Sequence, residues 1–252
     1  SEMCIRDSYL SRNPVTGLLI ARAGTVLVER YQYARNEHHH LTSFSMAKTL
    51  IALLVGCALE DGLLRTLDDP AERYAPGLSG SEYGRTPLRH LLTMSSGIKF
   101  REDYDGDDDS ARLSRATLRG QAANSSAAAT QFNQRIAAPG ERWYYSSADT
   151  YALTLALRGA LAEPIARYFS RRIWQPLGAQ ADAQWLTDPS GQELGYMGFS
   201  ASLRDYARLG MMLAQGGTVD GRPLVDRAWI GEMTRMHVQP RQTGRWYGYG
   251  YQ

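Results

Sequence analysis

From Met46 to Asp61 the chain is apolar almost all the way round, with Leu50, Ile51, Leu53, Leu54, Val55, Cys57 and Leu59 leaving no hydrated stripe. A helix built on that pattern belongs in the centre of a fold, packed on every side, rather than on a surface. Burying it needs a large surround. A chain of 252 residues, 43% hydrophobic and 21% charged, supplies one as a single domain. Ser-rich sequence leads into the helix, and Asp61-Gly62 ends it.

Around this helix the pattern alternates between strand and helix signals. Gly17–Ala23 and Thr25–Tyr31 are β-rich runs divided at Gly24, which predicts a hairpin. Short helices are expected after Asp68-Asp69-Pro70 and over Thr86–Leu92, the latter with Pro87 in its first turn. The polar segment Arg101–Ser126, acidic at Asp105–Asp109, reads as a long surface loop with partial helix, of the kind that rims a site. Ala148–Leu161 is helical. Ser202-Leu-Arg-Asp205 has the capping-box form with Asp and opens a helix that ends at Gly216-Gly217. Arg245–Gln252 alternates aromatic residues with glycine and reads as the opening of a strand, so the chain is expected to lack strands that follow it. The predicted class is α+β, with an α/β lobe (9–65 and 190–252) and a mainly helical lobe (66–189).

Charge narrows the partners. Lys plus Arg number 28 against 26 Asp plus Glu, a formal net charge of +2, which provides no field to hold nucleic acid. No run reaches the roughly 18 to 20 apolar residues of a membrane span, and the first thirty residues lack a signal-peptide pattern. The expected partner is a small molecule, with bacterial cytoplasm and periplasm both open as locations and the oligomeric state undetermined. Among the 28 basic residues only Lys48 and Lys99 are lysines. A chain that uses Arg for nearly every solvated cation gives meaning to a retained amine, because an amine can lose its proton.

Lys48 stands three residues after Ser45 at the mouth of the central helix, a Ser-x-x-Lys match. With 19 Ser and two Lys in 252 residues, about 0.15 such matches arise by chance. A second match, Ser96 and Lys99, is followed by Phe100-Arg-Glu-Asp103 rather than an apolar helix, and Lys99 reads as a solvated loop charge. In the first match the i, i+3 spacing puts both side chains on one helix face. Burial among Met46, Leu50, Ile51 and Leu54 disfavours the ammonium, so Lys48 could serve as general base for Ser45. A capping Ser beside a snorkelling Lys explains the pattern equally well. Tyr145-Ser-Ser147, ahead of a helix, could bring a phenol to the pair, where a nearby ammonium favours the phenolate. An aromatic packing residue is the plainer reading of Tyr145.

Thr42-Ser-Phe-Ser-Met-Ala-Lys-Thr49, Gly62–Pro70, Leu91-Leu-Thr-Met-Ser-Ser-Gly97, Pro139–Ser147 and Arg204-Asp-Tyr-Ala-Arg-Leu-Gly210 resemble, in this order, the motifs of the serine β-lactamase-like hydrolases. That family includes class C β-lactamases, family VIII carboxylesterases and penicillin-binding peptidases. Arg101-Glu-Asp-Tyr104 and Tyr145-Ser-Ser-Ala148 look most like its 6-aminohexanoate-dimer hydrolase branch. The resemblance implies an antiparallel sheet flanked by helices plus a helical lobe, and an acyl-enzyme mechanism without a cofactor or metal. It implies Ser45 as nucleophile, Lys48 as its base or proton relay, and Tyr145 as the second proton-transfer group. Ser147 is then expected to hydrogen-bond near Lys48, Tyr104 to close over the substrate, and Tyr196 to lie on the substrate side.

Departures from the family pattern shape the expected substrate. Ser147 stands where Asn is common, which favours a small ester or amide over a β-lactam or a D-alanyl-D-alanine peptide. Ser114 and Arg115 occupy the place of an acidic residue of the aminohexanoate branch. No counterpart of the Lys- or His-containing third motif is found before Gln252, since His237 comes too early. A non-catalytic binding relative is the competing class. His38-His39-His40 and Asp105–Asp109 read as loop features rather than metal sites, His90 as a locally bonded helix residue, and Cys57 as an inert buried thiol.

Overall fold

The computed structural model describes residues 9–239 and 248–252. Strands β1 (Gly17–Arg22) and β2 (Thr25–Tyr31) form the expected hairpin, in register from Gly17 opposite Tyr31 to Arg22 opposite Thr25. Its two-residue turn needs left-handed backbone at both positions, and Ala23 (φ +48°) and Gly24 (φ +81°) provide it. A second antiparallel sheet takes β3 (Leu41–Thr42), β5 (Phe199–Ala201) and β4 (Gln184–Trp185) in the order β3-β5-β4. This sheet therefore includes residues before 190, on the helical-lobe side of the expected division. A small ribbon pairs β6 (Thr218–Val219) with β7 (Arg222–Pro223).

Helices among the described residues include α1 (Ala47–Glu60), α2 (Glu82–Arg85), α3 (Leu88–Leu92), α4 (Asp109–Leu118), α5 (Ser125–Thr130), α6 (Ser147–Leu161), α7 (Ile165–Phe169), α8 (Leu203–Ala214) and α9 (Arg227–Thr234). Helix α1 is buried from Leu50 through Ala58, as its all-round apolar pattern requires, and it packs on α6, which is also buried on nearly every side. Gly56 admits the Trp229 ring, whose atoms come within 2.1 Å of where a Cβ would stand, and Trp229 Nε1 donates to the Ala52 carbonyl at 3.1 Å. Cys57 is fully buried, and burial pushes its thiol up to about 12, which makes it inert.

Several sequence expectations take a more definite form. Asp108 caps α4 by accepting the Ala111 amide at 2.8 Å, so part of the expected loop is an ordered ten-residue helix. Ser202 caps α8 in the predicted way, accepting from the Asp205 amide. Pro87 is the N-cap of α3 rather than a residue of its first turn. Only a 3-10 turn, Ala71–Arg73, follows Pro70. Arg204 on α8 binds Glu29 of β2 through two nitrogens at 2.8 and 2.9 Å, which ties the hairpin to the C-terminal half. Of the expected Arg245–Gln252 strand, residues 245–247 lie outside the described residues. Tyr249 makes a single antiparallel bridge to Val238.

Candidate active site

Ser45 sits in a 3-10 turn, Phe44–Met46, between the β3-β5-β4 sheet and α1. The Ser43 amide donates to the Phe199 carbonyl of β5 at 2.8 Å, which fixes the turn against the sheet. Phe44 is held at φ +44°, a conformation that costs a side-chain-bearing residue energy and marks an over-determined position. Lys48, one turn on, is 1% exposed. Its Nζ donates to Ser45 Oγ at 3.0 Å and to the Tyr196 carbonyl at 2.9 Å. Withdrawal from water lowers its pKa to about 8, opposed by the charge of Glu102.

Tyr145 arrives from the segment ahead of α6. The Tyr144 amide donates to the Met94 carbonyl at 2.8 Å and the Ser146 amide to Met94 Sδ at 3.3 Å, so Met94, itself at φ +53°, holds the backbone on both sides of Tyr145. Ser146 caps α6. The Tyr145 ring lies beneath the Lys48 ammonium, 5.1 Å from its centroid. Burial raises the phenol pKa, the Ser45 hydroxyl hydrogen bond lowers it in part, and Glu102 raises it further. The net direction is upward, with burial the largest cause, which runs against the expectation of a favoured phenolate.

The remaining sequence candidates surround one cavity of about 320 Å³ lined by Ser45, Glu102, Tyr104, Ser147 and Tyr196 together with Phe44, Met197 and the inner face of α4. Tyr104, at φ +60° and 70% exposed, hangs over its mouth. Two expectations change. Ser147 does not bond to Lys48; its hydroxyl and its amide both donate to Glu102, each at 2.7 Å. Tyr196 turns its phenol to Thr117, 2.8 Å away, and meets Lys48 with its backbone carbonyl instead. The second Ser-x-x-Lys match is dispersed, because Ser96 is buried with its hydroxyl on Asp149 while Lys99 lines a separate surface groove.

Glu102 was not singled out in the sequence. Its only signal was its place inside Arg101-Glu-Asp-Tyr104, and its role as cap of a helix 45 residues later is visible only in three dimensions. Among the described residues no group of three or more His, Cys, Asp or Glu is placed to hold a metal ion. His39 Nδ1 instead accepts the Asn36 amide in a local turn.

Relatives share this arrangement of elements. The 6-aminohexanoate-dimer hydrolase of Paenarthrobacter ureafaciens is 28% identical over 249 aligned residues, covering 89% of this chain and 58% of that protein. The solved structure of a proposed 6-aminohexanoate-dimer hydrolase of Bacillus anthracis superposes with a TM-score of 0.85 at 22% identity, over 97% of this chain and 66% of that one. EstCE1, a hydrolase with promiscuous acyltransferase activity, superposes with a TM-score of 0.74 at 20% identity, over 99% and 80%. The chain thus spans 58% of the curated relative's length. Its fold is the β-lactamase/transpeptidase-like one. The beta-lactamase profile matches residues 11–252, and the chain belongs to that family.

Proposed function

We propose that the protein is a serine hydrolase that acts through an acyl-enzyme on a small ester or amide. The observation that carries this reading is the 3.0 Å contact between Ser45 Oγ and the buried Lys48 amine, whose pKa of about 8 leaves part of it neutral near pH 7. Neutral Lys48 takes the Ser45 proton as Oγ attacks the carbonyl, and the ammonium that results is held by the Tyr196 carbonyl. Tyr145, protonated and next to Ser45, supplies a proton to the leaving alcohol or amine. Its phenolate, lying beneath the Lys48 ammonium, then draws a proton from the water that cleaves the acyl-enzyme, while Lys48 returns its proton to the departing Ser45 Oγ and regains its neutral form. Tyr104 is placed to cover the substrate, and Ser147 and Glu102 line the side of the cavity.

A small ester or amide is preferred to a β-lactam because Ser147, in place of Asn, spends its hydroxyl on Glu102. The similar proteins include a 6-aminohexanoate-dimer hydrolase and a hydrolase with acyltransferase activity as well as β-lactamases, so the preference rests on Ser147. No helix among the described residues is long and apolar enough to cross a membrane. Labelling with a fluorophosphonate and burst kinetics with nitrophenyl acetate test the proposal. Stoichiometric labelling that disappears in Ser45→Ala is expected. An unlabelled protein with no burst would establish the non-catalytic alternative, and turnover of nitrocefin to match a short nitrophenyl ester would reverse the choice of substrate.

A further inference from the structure

We propose that Glu102 sets the charge preference of the cavity in front of Ser45, so that it accepts an ester or amide bearing a cationic group and rejects one bearing a carboxylate. The inference rests on the hydrolase reading above and names its substrate class. Glu102 Oε2 accepts the Ser147 amide at 2.7 Å, while Oε1 accepts the Ser147 hydroxyl at 2.7 Å and the Tyr104 phenol at 2.8 Å. Three donors from two different segments pin the carboxylate to the cavity wall. About four acceptor positions exist on a carboxylate, so one is left for a ligand.

Among the described residues no Lys or Arg lines this cavity. The second carboxylate there, Asp108, is 1% exposed and spends its oxygens on the amides of Asp103, Tyr104 and Ala111 and on the Ser110 hydroxyl. Glu102 is only half-buried and remains open to the cavity. Arg115, one turn beyond Ala111 on α4, does not line the cavity itself but donates to the carbonyl of Gly106, which does, at 3.4 Å. Among the described residues the buried cation paired electrostatically with Glu102 is Lys48, behind Ser45. Acylation requires that amine in its neutral form, and the carboxylate then has no cationic partner among the described residues that line the cavity. A substrate cation gains from it and a substrate anion is repelled, in a site drier than bulk water.

The test compares nitrophenyl esters of matched length that carry a methyl, a trimethylammonium or a carboxylate end: the butanoate, the 4-(trimethylammonio)butanoate and the hemisuccinate. In the wild type kcat/KM for the cationic ester should exceed that for the anionic one by at least about tenfold, and the ratio should shrink as salt is raised. In Glu102→Gln the ratio should fall to within about threefold. Gln fits the same bonds, its oxygen accepting the Ser147 amide and its NH2 donating to the Ser147 and Tyr104 hydroxyls. Calorimetric binding of the three esters to Ser45→Ala reads the same preference without turnover. Equal handling of the two charged esters by the wild type, or a ratio unchanged in Glu102→Gln, overturns the proposal. A cation preference in binding without turnover of any ester by the wild type would instead sink the hydrolase reading and leave the charge preference standing.

Discussion

Acylation should follow the proton on Lys48. An amine with the ordinary pKa of 10.5 is neutral in roughly three molecules in ten thousand at pH 7, whereas one at about 8 is neutral in roughly one in ten. Burial in α1 therefore enlarges the competent population about 300-fold, equivalent to about 3 kcal/mol. Raising the pH from 7 to 9 should increase the single-turnover acylation rate about tenfold, with a plateau above pH 9. Lys48→Arg keeps the charge but removes the capacity to deprotonate, and it should lose on the order of 100-fold or more, the usual contribution of a general base. Stopped-flow bursts with a nitrophenyl ester from pH 6 to 9.5 measure both, with circular dichroism and thermal unfolding to establish that the variant is folded. A wild-type rate that is flat between pH 6.5 and 9, or near-native acylation by folded Lys48→Arg, would refute the argument and show that only positive charge is needed.

Asp149, buried behind the site and bonded to Ser96 and Tyr83, has its pKa raised to about 7 by desolvation, which outweighs those hydrogen bonds. The native state thus keeps a proton that the unfolded chain releases near its ordinary carboxyl value of about 3.9. Stability from this group is complete below that pH and declines through pH 7, by an amount on the order of 2–4 kcal/mol. Chemical denaturation between pH 4 and 7.5 should show the decline, and Asp149→Asn should flatten it; an equally steep profile in the variant would assign the dependence elsewhere. Gly159→Ala should lower Tm by roughly 5–10 °C despite better helix propensity, because its Cβ would stand 1.8 Å from the Tyr74 carbonyl oxygen. A rise in Tm would mean that α6 and the Tyr74 turn can separate at little cost.

What the sequence by itself determined is what short-range physics dictates. The hairpin follows from β-rich runs on either side of a residue pair that turns left-handed, and α1 follows from an apolar pattern that only a central helix satisfies. The meeting of Ser45 and Lys48 is equally local, since three residues of helical backbone suffice to bring them together. The caps at Ser202 and the end of α1 at Gly62 belong to the same class. Tertiary structure alone decided the surroundings of that pair. The carbonyl that receives Lys48 lies 148 residues away at Tyr196, and the Glu102 bonds that redirect Ser147 and reach Tyr104 depend on how one loop crosses the start of α6. The protonation of Tyr145 was also out of reach of sequence reasoning. It turns on desolvation, the largest cause of its upward shift, and burial is a property of every element packed around a group rather than of its neighbours in the chain.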